Sequence, residues 1–184
     1  MIENVMIFLT YIVYMSINLY TDTKKLETYN RLHAVGWIFI SIYLFYIGMS
    51  LTDYLIVFLF SLILGLSLEK IPFMRIGSGD TKMIIVSSLF LIALTPIKEI
   101  YIPLILIFFY KIVQFLIIGT IGFGYLMYSL FRKDKLTQKI NIGNYKFSFT
   151  FEGRIPVISY QVPATGGITL GAILTIFIFS QGGF

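Results

Sequence analysis

The chain has no cysteine and a single histidine, His33. The first absence excludes disulfides, a thiol nucleophile and every Cys-ligated zinc or iron–sulfur centre. The second leaves too few imidazoles for a His-based metal site or a robust His-centred triad. Charge is scarce too, at 12% of 184 residues, roughly half the share of soluble domains. Hydrophobic residues reach 58% and the mean hydropathy is +0.88, which excludes an ordinary soluble domain. No metal or cofactor is expected. The net charge of +5 is distributed as membrane orientation requires, so no nucleic-acid partner is expected either. Carboxylates remain as the main chemical resource.

Apolar runs of membrane-spanning length recur along the chain. The expected fold is an all-α polytopic membrane protein, a single integral-membrane domain over 1–184. Six transmembrane helices are predicted, at about 5–20, 34–50, 54–68, 81–95, 101–131 and 162–180. The amino end, Met1-Ile2-Glu3-Asn4, is acidic and no small-residue cleavage site follows the first run, which predicts a retained helix and not a signal peptide. Trp37 sits near one end of the second span, at interfacial depth. Thr52-Asp53 reads as a turn, and Pro72 and Pro96 close the third and fourth spans. The fifth run, Tyr101 to Phe131, would reach roughly 46 Å, beyond what a bilayer core of about 30 Å needs. It must tilt, protrude or break, with Gly119, Gly122 and Gly124 as weak points; Lys111 inside it is expected to snorkel.

The one sizeable polar segment is 132–161. Ile140-Asn141-Ile142 and Phe147-Ser148-Phe149-Thr150-Phe151 alternate with period two around Gly143-Asn144, which predicts a small β-hairpin between helices five and six. Its phenylalanine face is expected on the membrane or the bundle. Twelve of the fourteen Lys and Arg fall in the loops after spans one, three and five. That asymmetry predicts those loops in the cytoplasm and both termini outside.

Asp22 then closes the first span and Asp80 opens the fourth, on one side of the membrane. Asp53 and Glu99 belong to the other side, while Glu69 and Asp134 adjoin Lys70 and Lys133 and read as interfacial charge balance. Asp80 ends the stretch Gly77-Ser78-Gly79-Asp80, whose glycines allow positive φ and close approach of another chain. An acid at that depth is costly, so a functional role is the default reading. If Asp22 and Asp80 share a site, one keeps a proton at a raised apparent pKa. Such a dyad can activate water against a peptide carbonyl without metal or histidine. The plainer alternative is that each acid caps a helix end or pairs with Lys24, Lys25 or Lys82.

Gly77-Ser78-Gly79-Asp80 resembles the Gly-x-Gly-Asp signature of intramembrane aspartyl proteases, and Lys82 resembles their bacterial and archaeal branch. Asp22 with Asn30 is similar to that branch's other motif. Ser159-Tyr160-Gln161-Val162-Pro163-Ala164, before Gly166 and Gly171, is similar to its last helix. Together these resemble the type IV prepilin peptidase family, including preflagellin-processing members. The resemblance implies an aspartic endopeptidase of a prokaryotic cytoplasmic membrane, serving type IV pili or protein secretion. It would remove short basic leaders from prepilin-like substrates at the cytoplasmic face. It implies Asp22 and Asp80 as the catalytic pair, Gly77, Ser78 and Gly79 as the catalytic loop, and Lys82, Asn30 and Pro163 as supporting or substrate-binding residues. Thr28-Tyr29 stands where many members have Ile-Pro. The four-cysteine insertion of larger members is missing, so N-methyltransferase activity is not expected. The hairpin edge around Phe147–Phe151 is a candidate to pair with an extended leader.

Three other readings stand beside this one. A signal-peptide-peptidase-like protease would use the same acids, but Thr21-Asp22 and Pro163-Ala164-Thr165 depart from that group's Tyr-Asp and Pro-Ala-Leu motifs. A small ion-coupled transporter would use Asp22, Asp80 and Lys111, yet inverted repeats are not evident and both acids lie at one face instead of the midplane. A non-catalytic assembly subunit is the last.

Overall fold

The computed structural model describes residues 2–25, 28–70, 76–95, 101–132, 138–142, 145–152, 155–161 and 164–180. These form six helices, α1 (Ile2–Lys25), α2 (Asn30–Tyr46), α3 (Leu51–Lys70), α4 (Ser78–Leu94), α5 (Tyr101–Arg132) and α6 (Thr165–Ser180). Between α5 and α6 lie three strands, β1 (Gln138–Ile142), β2 (Tyr145–Glu152) and β3 (Ile155–Gln161).

Six helices were expected to span, but among the described residues only three are long and apolar enough to cross a membrane. They are Val5–Lys25, Leu51–Lys70 and Tyr101–Ile121. The bundle's outer surface is apolar, with Met6, Val35, Ile42 and Phe115 all more than half exposed. An exterior of that kind suits hydrocarbon better than water. Membrane association is thus indicated by both length and surface chemistry.

The central element is α4. Its sequence is apolar around the whole circumference, as a fully surrounded helix requires, and every residue from Met83 to Leu91 is buried. The other five helices all pack against it. Gly65 of α3 lets it approach, because a Cβ there would lie 2.5 Å from Thr81 Cγ2. A similar contact joins α5 to α6, where a Cβ on Gly171 would lie 3.1–3.2 Å from the backbone of Tyr110 and Leu106. Small residues four apart on one helix face, here Gly167 and Gly171, are the usual means of close helix packing in lipid.

Helix ends differ from the expected boundaries for local reasons. α2 stops at Tyr46 in a Schellman motif, with Gly48 at φ 88, Gly48 N–H donating to Phe45 O and Met49 N–H to Leu44 O. The turn therefore falls at 47–50 and not at Thr52-Asp53, which lie inside α3. Ser50 Oγ accepts from Asp53 N–H and donates to the Asp53 carboxylate, so Asp53 completes the cap of α3. Asp22 does not close its helix but lies inside the last turn of α1. α5 is unbroken over 32 residues, about 48 Å, so its glycines are not break points.

The polar segment holds a three-stranded antiparallel meander in the order β1-β2-β3, one strand more than a hairpin. Register runs Ile140↔Phe147 on one side of β2 and Phe147↔Tyr160 on the other. β2 is thus paired along both edges. The expectation that Phe147–Phe151 offers an open edge fails for that reason, and the open edges belong to β1 and β3. The Gly143-Asn144 turn and the surroundings of the phenylalanine side chains lie outside the described residues.

Candidate functional site

Four helices meet where α1 and α3 end and α4 and α6 begin. Asp22 is brought there by the last turn of α1 and is buried. Its Oδ2 accepts from Thr165 Oγ1 at 2.6 Å and from Thr165 N–H at 3.0 Å. Thr165 is the first residue of α6, so the carboxylate sits on a helix N-terminus, where unsatisfied N–H groups stabilise negative charge. One turn earlier, buried Asn18 donates to Tyr14 O at 2.9 Å while its Oδ1 has no partner among the described residues. A buried acceptor left open beside an acid is suited to a water or a substrate N–H.

Asp80 stands in the first turn of α4 and is half-buried. Gly77 is the N-cap residue, and its N–H donates to Asp80 Oδ2 at 2.8 Å. This is half a capping box; glycine has no side chain to return the bond. The capping expected as the plainer reading is therefore present at Asp80. It does not account for the electrostatics. Burial pushes the Asp80 carboxyl up to about 6, against the Gly77 hydrogen bond, and the charges of Asp22 and Glu69 push it further up while Lys111 pulls it down. Asp22 and Asp80 thus lie within electrostatic reach of one another.

Two of these neighbours were not expected. Glu69, in the last turn of α3, accepts from Thr81 Oγ1 at 2.6 Å and so belongs to this cluster. Its place beside Lys70 in sequence hid that role. Lys111 Nζ donates to Gln114 Oε1 at 2.8 Å and lies 4.6 Å from the Tyr110 ring centroid. Its charge also acts on Asp80.

The catalytic-loop glycines matter through close approach. Gly77 has φ −80 and ψ 160, ordinary extended backbone, so positive φ is not what selects glycine there. At Gly79 a Cβ would fall on Thr28 Oγ1. Thr28 Oγ1 is 2.9 Å from His33 Nε2, and Tyr14 Oη is 2.8 Å from His33 Nδ1. The buried imidazole therefore ties α1 to the segment that covers Gly79. Burial, and then the charge of Lys82, push His33 down to about 4, which keeps it neutral at physiological pH. Sequence reasoning missed this tether because Thr28 and His33 carry no motif.

Of the supporting residues, Lys82 Nζ donates to Asn30 Oδ1 at 2.7 Å. Ser78 is exposed at the start of α4. Pro163 lies outside the described residues. Lys24 and Lys25 donate to the hydroxyls of Tyr20 and Tyr29. No family model matches the chain, and no curated protein or solved structure matches it.

Proposed function

We propose that this chain is an intramembrane aspartyl endopeptidase, with Asp22 and Asp80 as its catalytic pair. The observation that carries the reading is that the last turn of α1 and the first turn of α4 bring two acids far apart in sequence, Asp22 and Asp80, to one end of the bundle, where the charge of Asp22 acts on Asp80. Asp80, raised above the ordinary carboxylate range by burial, is the proton donor of the proposed pair. Asp22 is the base of the proposed pair, its Oδ2 held by the hydroxyl and the N–H of Thr165 at the start of α6.

In the proposed cycle a water attacks a peptide carbonyl carbon and gives its proton to the Asp22 carboxylate. Asp80 donates its proton to the carbonyl oxygen as the tetrahedral diol forms. On collapse, the C–N bond breaks, Asp22 returns its proton to the leaving amine, and Asp80 recovers one from a diol hydroxyl. Atoms balance with no further reactant.

The substrate proposed is the basic leader of a prepilin-like, pseudopilin-like or archaellin-like precursor. The motif resemblance of Gly77-Ser78-Gly79-Asp80 and of Asp22 with Asn30 supports it. We further propose that all six helices span, with both termini outside and the acids at the cytoplasmic face. A 17-residue α4 is only about 25 Å long, but a helix enclosed by five others is shielded from the mismatch, and local thinning absorbs the rest. The Lys/Arg asymmetry supports the orientation.

Coexpression with a candidate precursor tests the reading. Asp22→Asn and Asp80→Asn each abolish leader removal in a gel-shift assay while the protein still inserts. Full cleavage by either variant refutes the dyad.

A further inference from the structure

Behind α4, on the side away from Asp80, lies a cavity of about 280 Å³ between α2, α3 and α4. Asp80 and Lys82 are two residues apart, about 200° around a helix, so this space is not the acid site. Its walls are apolar, formed chiefly by Trp37, Phe58 and Val86. The wall is stiff. The Trp37 and Phe58 rings stack at 5.6 Å between centroids, and Trp37 Nε1–H donates to Tyr54 Oη at 2.6 Å. Asn30, His33 and Lys82 gather at its other end.

That end is cationic. The described partner of the Lys82 ammonium is the neutral Asn30 amide. Arg31, one residue on, lines an adjacent groove. The helices that wall the cavity carry exposed apolar residues on their outer faces, among them Ile38 of α2 and Leu59 of α3, suited to acyl chains. An apolar slot with an indole wall and a lysine at the headgroup end matches one class of molecule. We propose that the cavity holds an acyl chain of an anionic phospholipid from the surrounding bilayer, with the lipid phosphate paired to Lys82. A phosphate there replaces a neutral partner with a charged one, and ammonium–phosphate hydrogen bonds are the stronger kind. The inference rests on membrane residence and not on the peptidase reading, so it stands or falls separately.

Trp37 is the sole tryptophan of the chain, which makes its fluorescence a direct reporter. The intact protein is reconstituted in phosphatidylcholine vesicles containing a small, equal fraction of either brominated phosphatidylglycerol or brominated phosphatidylcholine. Bromine quenches the indole only at close range. The brominated anionic lipid is expected to quench about fivefold more effectively, the factor one interfacial lysine supplies. Lys82→Gln removes that preference. Ala34→Leu, which fills the slot and leaves the charge, lowers quenching by both lipids and serves if the first variant fails to fold. Equal quenching of the unmodified protein by the two lipids overturns the proposal, as does a preference that survives Lys82→Gln or quenching that Ala34→Leu leaves unchanged. A slot occupied by a polypeptide segment instead shows no headgroup preference and counts against it in the same way.

Discussion

Replacing Asp80 with asparagine separates a reactive acid from a structural cap, because the two roles have opposite effects on stability. The carboxyl ordinarily titrates at 3.8 and is pushed to about 6 in the fold, mainly by burial and then by the charges of Asp22 and Glu69. The gap between those values corresponds to about 3 kcal/mol at full ionisation, and partial exposure of the residue reduces it to about 2. The sign follows from where protons bind. Below 3.8 the folded and unfolded chains are both protonated at this position, and the carboxyl costs nothing. Between 3.8 and 6 the unfolded chain sheds its proton first, so folding loses ground as pH rises. Above 6 the full penalty applies.

Asparagine keeps an oxygen that can accept from Gly77 N–H, as Asp80 Oδ2 does at 2.8 Å, so the cap is retained and only the charge is lost. Asp80→Asn is therefore expected to unfold at a higher temperature than the unmodified protein at pH 8, by an amount equivalent to about 2 kcal/mol, with the advantage vanishing towards pH 4. Thermal melts of detergent-purified protein, followed by circular dichroism at pH 4.5, 6 and 8, measure this. A variant less stable at every pH, by the roughly 0.5–2 kcal/mol typical of a lost cap, refutes the reasoning and returns Asp80 to an ordinary capping role.

Two suppressor pairs test the packing around the acids. Gly79→Ala drives a methyl onto Thr28 Oγ1 and should cost about 1–3 kcal/mol, whereas Thr28→Ala in the same chain makes room but gives up the hydrogen bond to His33 and so restores the melting temperature in part; a double variant as unstable as the sum of the two single losses means that the crowding lies elsewhere. Gly65→Ala meets Thr81 Cγ2 at 2.5 Å and should reduce cleavage. Thr81→Ser removes that methyl but keeps the hydroxyl that binds Glu69, so it should restore activity better than Thr81→Ala; equal rescue by the two would show the Glu69 bond to be irrelevant.

The helices and the shared end of the two acids were legible because they depend on composition and on where Lys and Arg fall, both of which survive in a linear text. Glu69 was not, since its neighbour along the chain is Lys70 while its hydrogen-bond partner is Thr81, twelve residues on. Thr165 was passed over as a departure from a motif, yet its N–H and hydroxyl both hold Asp22. The third strand was hidden for a different reason. Ile155-Pro156-Val157-Ile158 is an unbroken apolar run with no period of two, so it carries no strand signal within the polar segment 132–161. Its pairing with β2 is set by register across the sheet, which no local pattern records.

In lipid, burying apolar surface does little to hold helices together, so contacts between small residues and hydrogen bonds must supply the specificity. Here those contacts converge on the acids. Gly65 seats Thr81, which is next to Asp80 and bonded to Glu69. Gly79 lies against Thr28, which His33 ties to Tyr14 of the helix that bears Asp22. Gly167 and Gly171 lock α6 to α5, which fixes both the Thr165 donors and the position of Lys111. Each of these close approaches bears on an element that carries one of the charges acting on Asp80. The side chains that act on the half-buried Asp80 are therefore ones that packing contacts and hydrogen bonds also hold in place. The contacts that assemble the bundle are thus also the ones that hold the Asp80 carboxyl above its ordinary range.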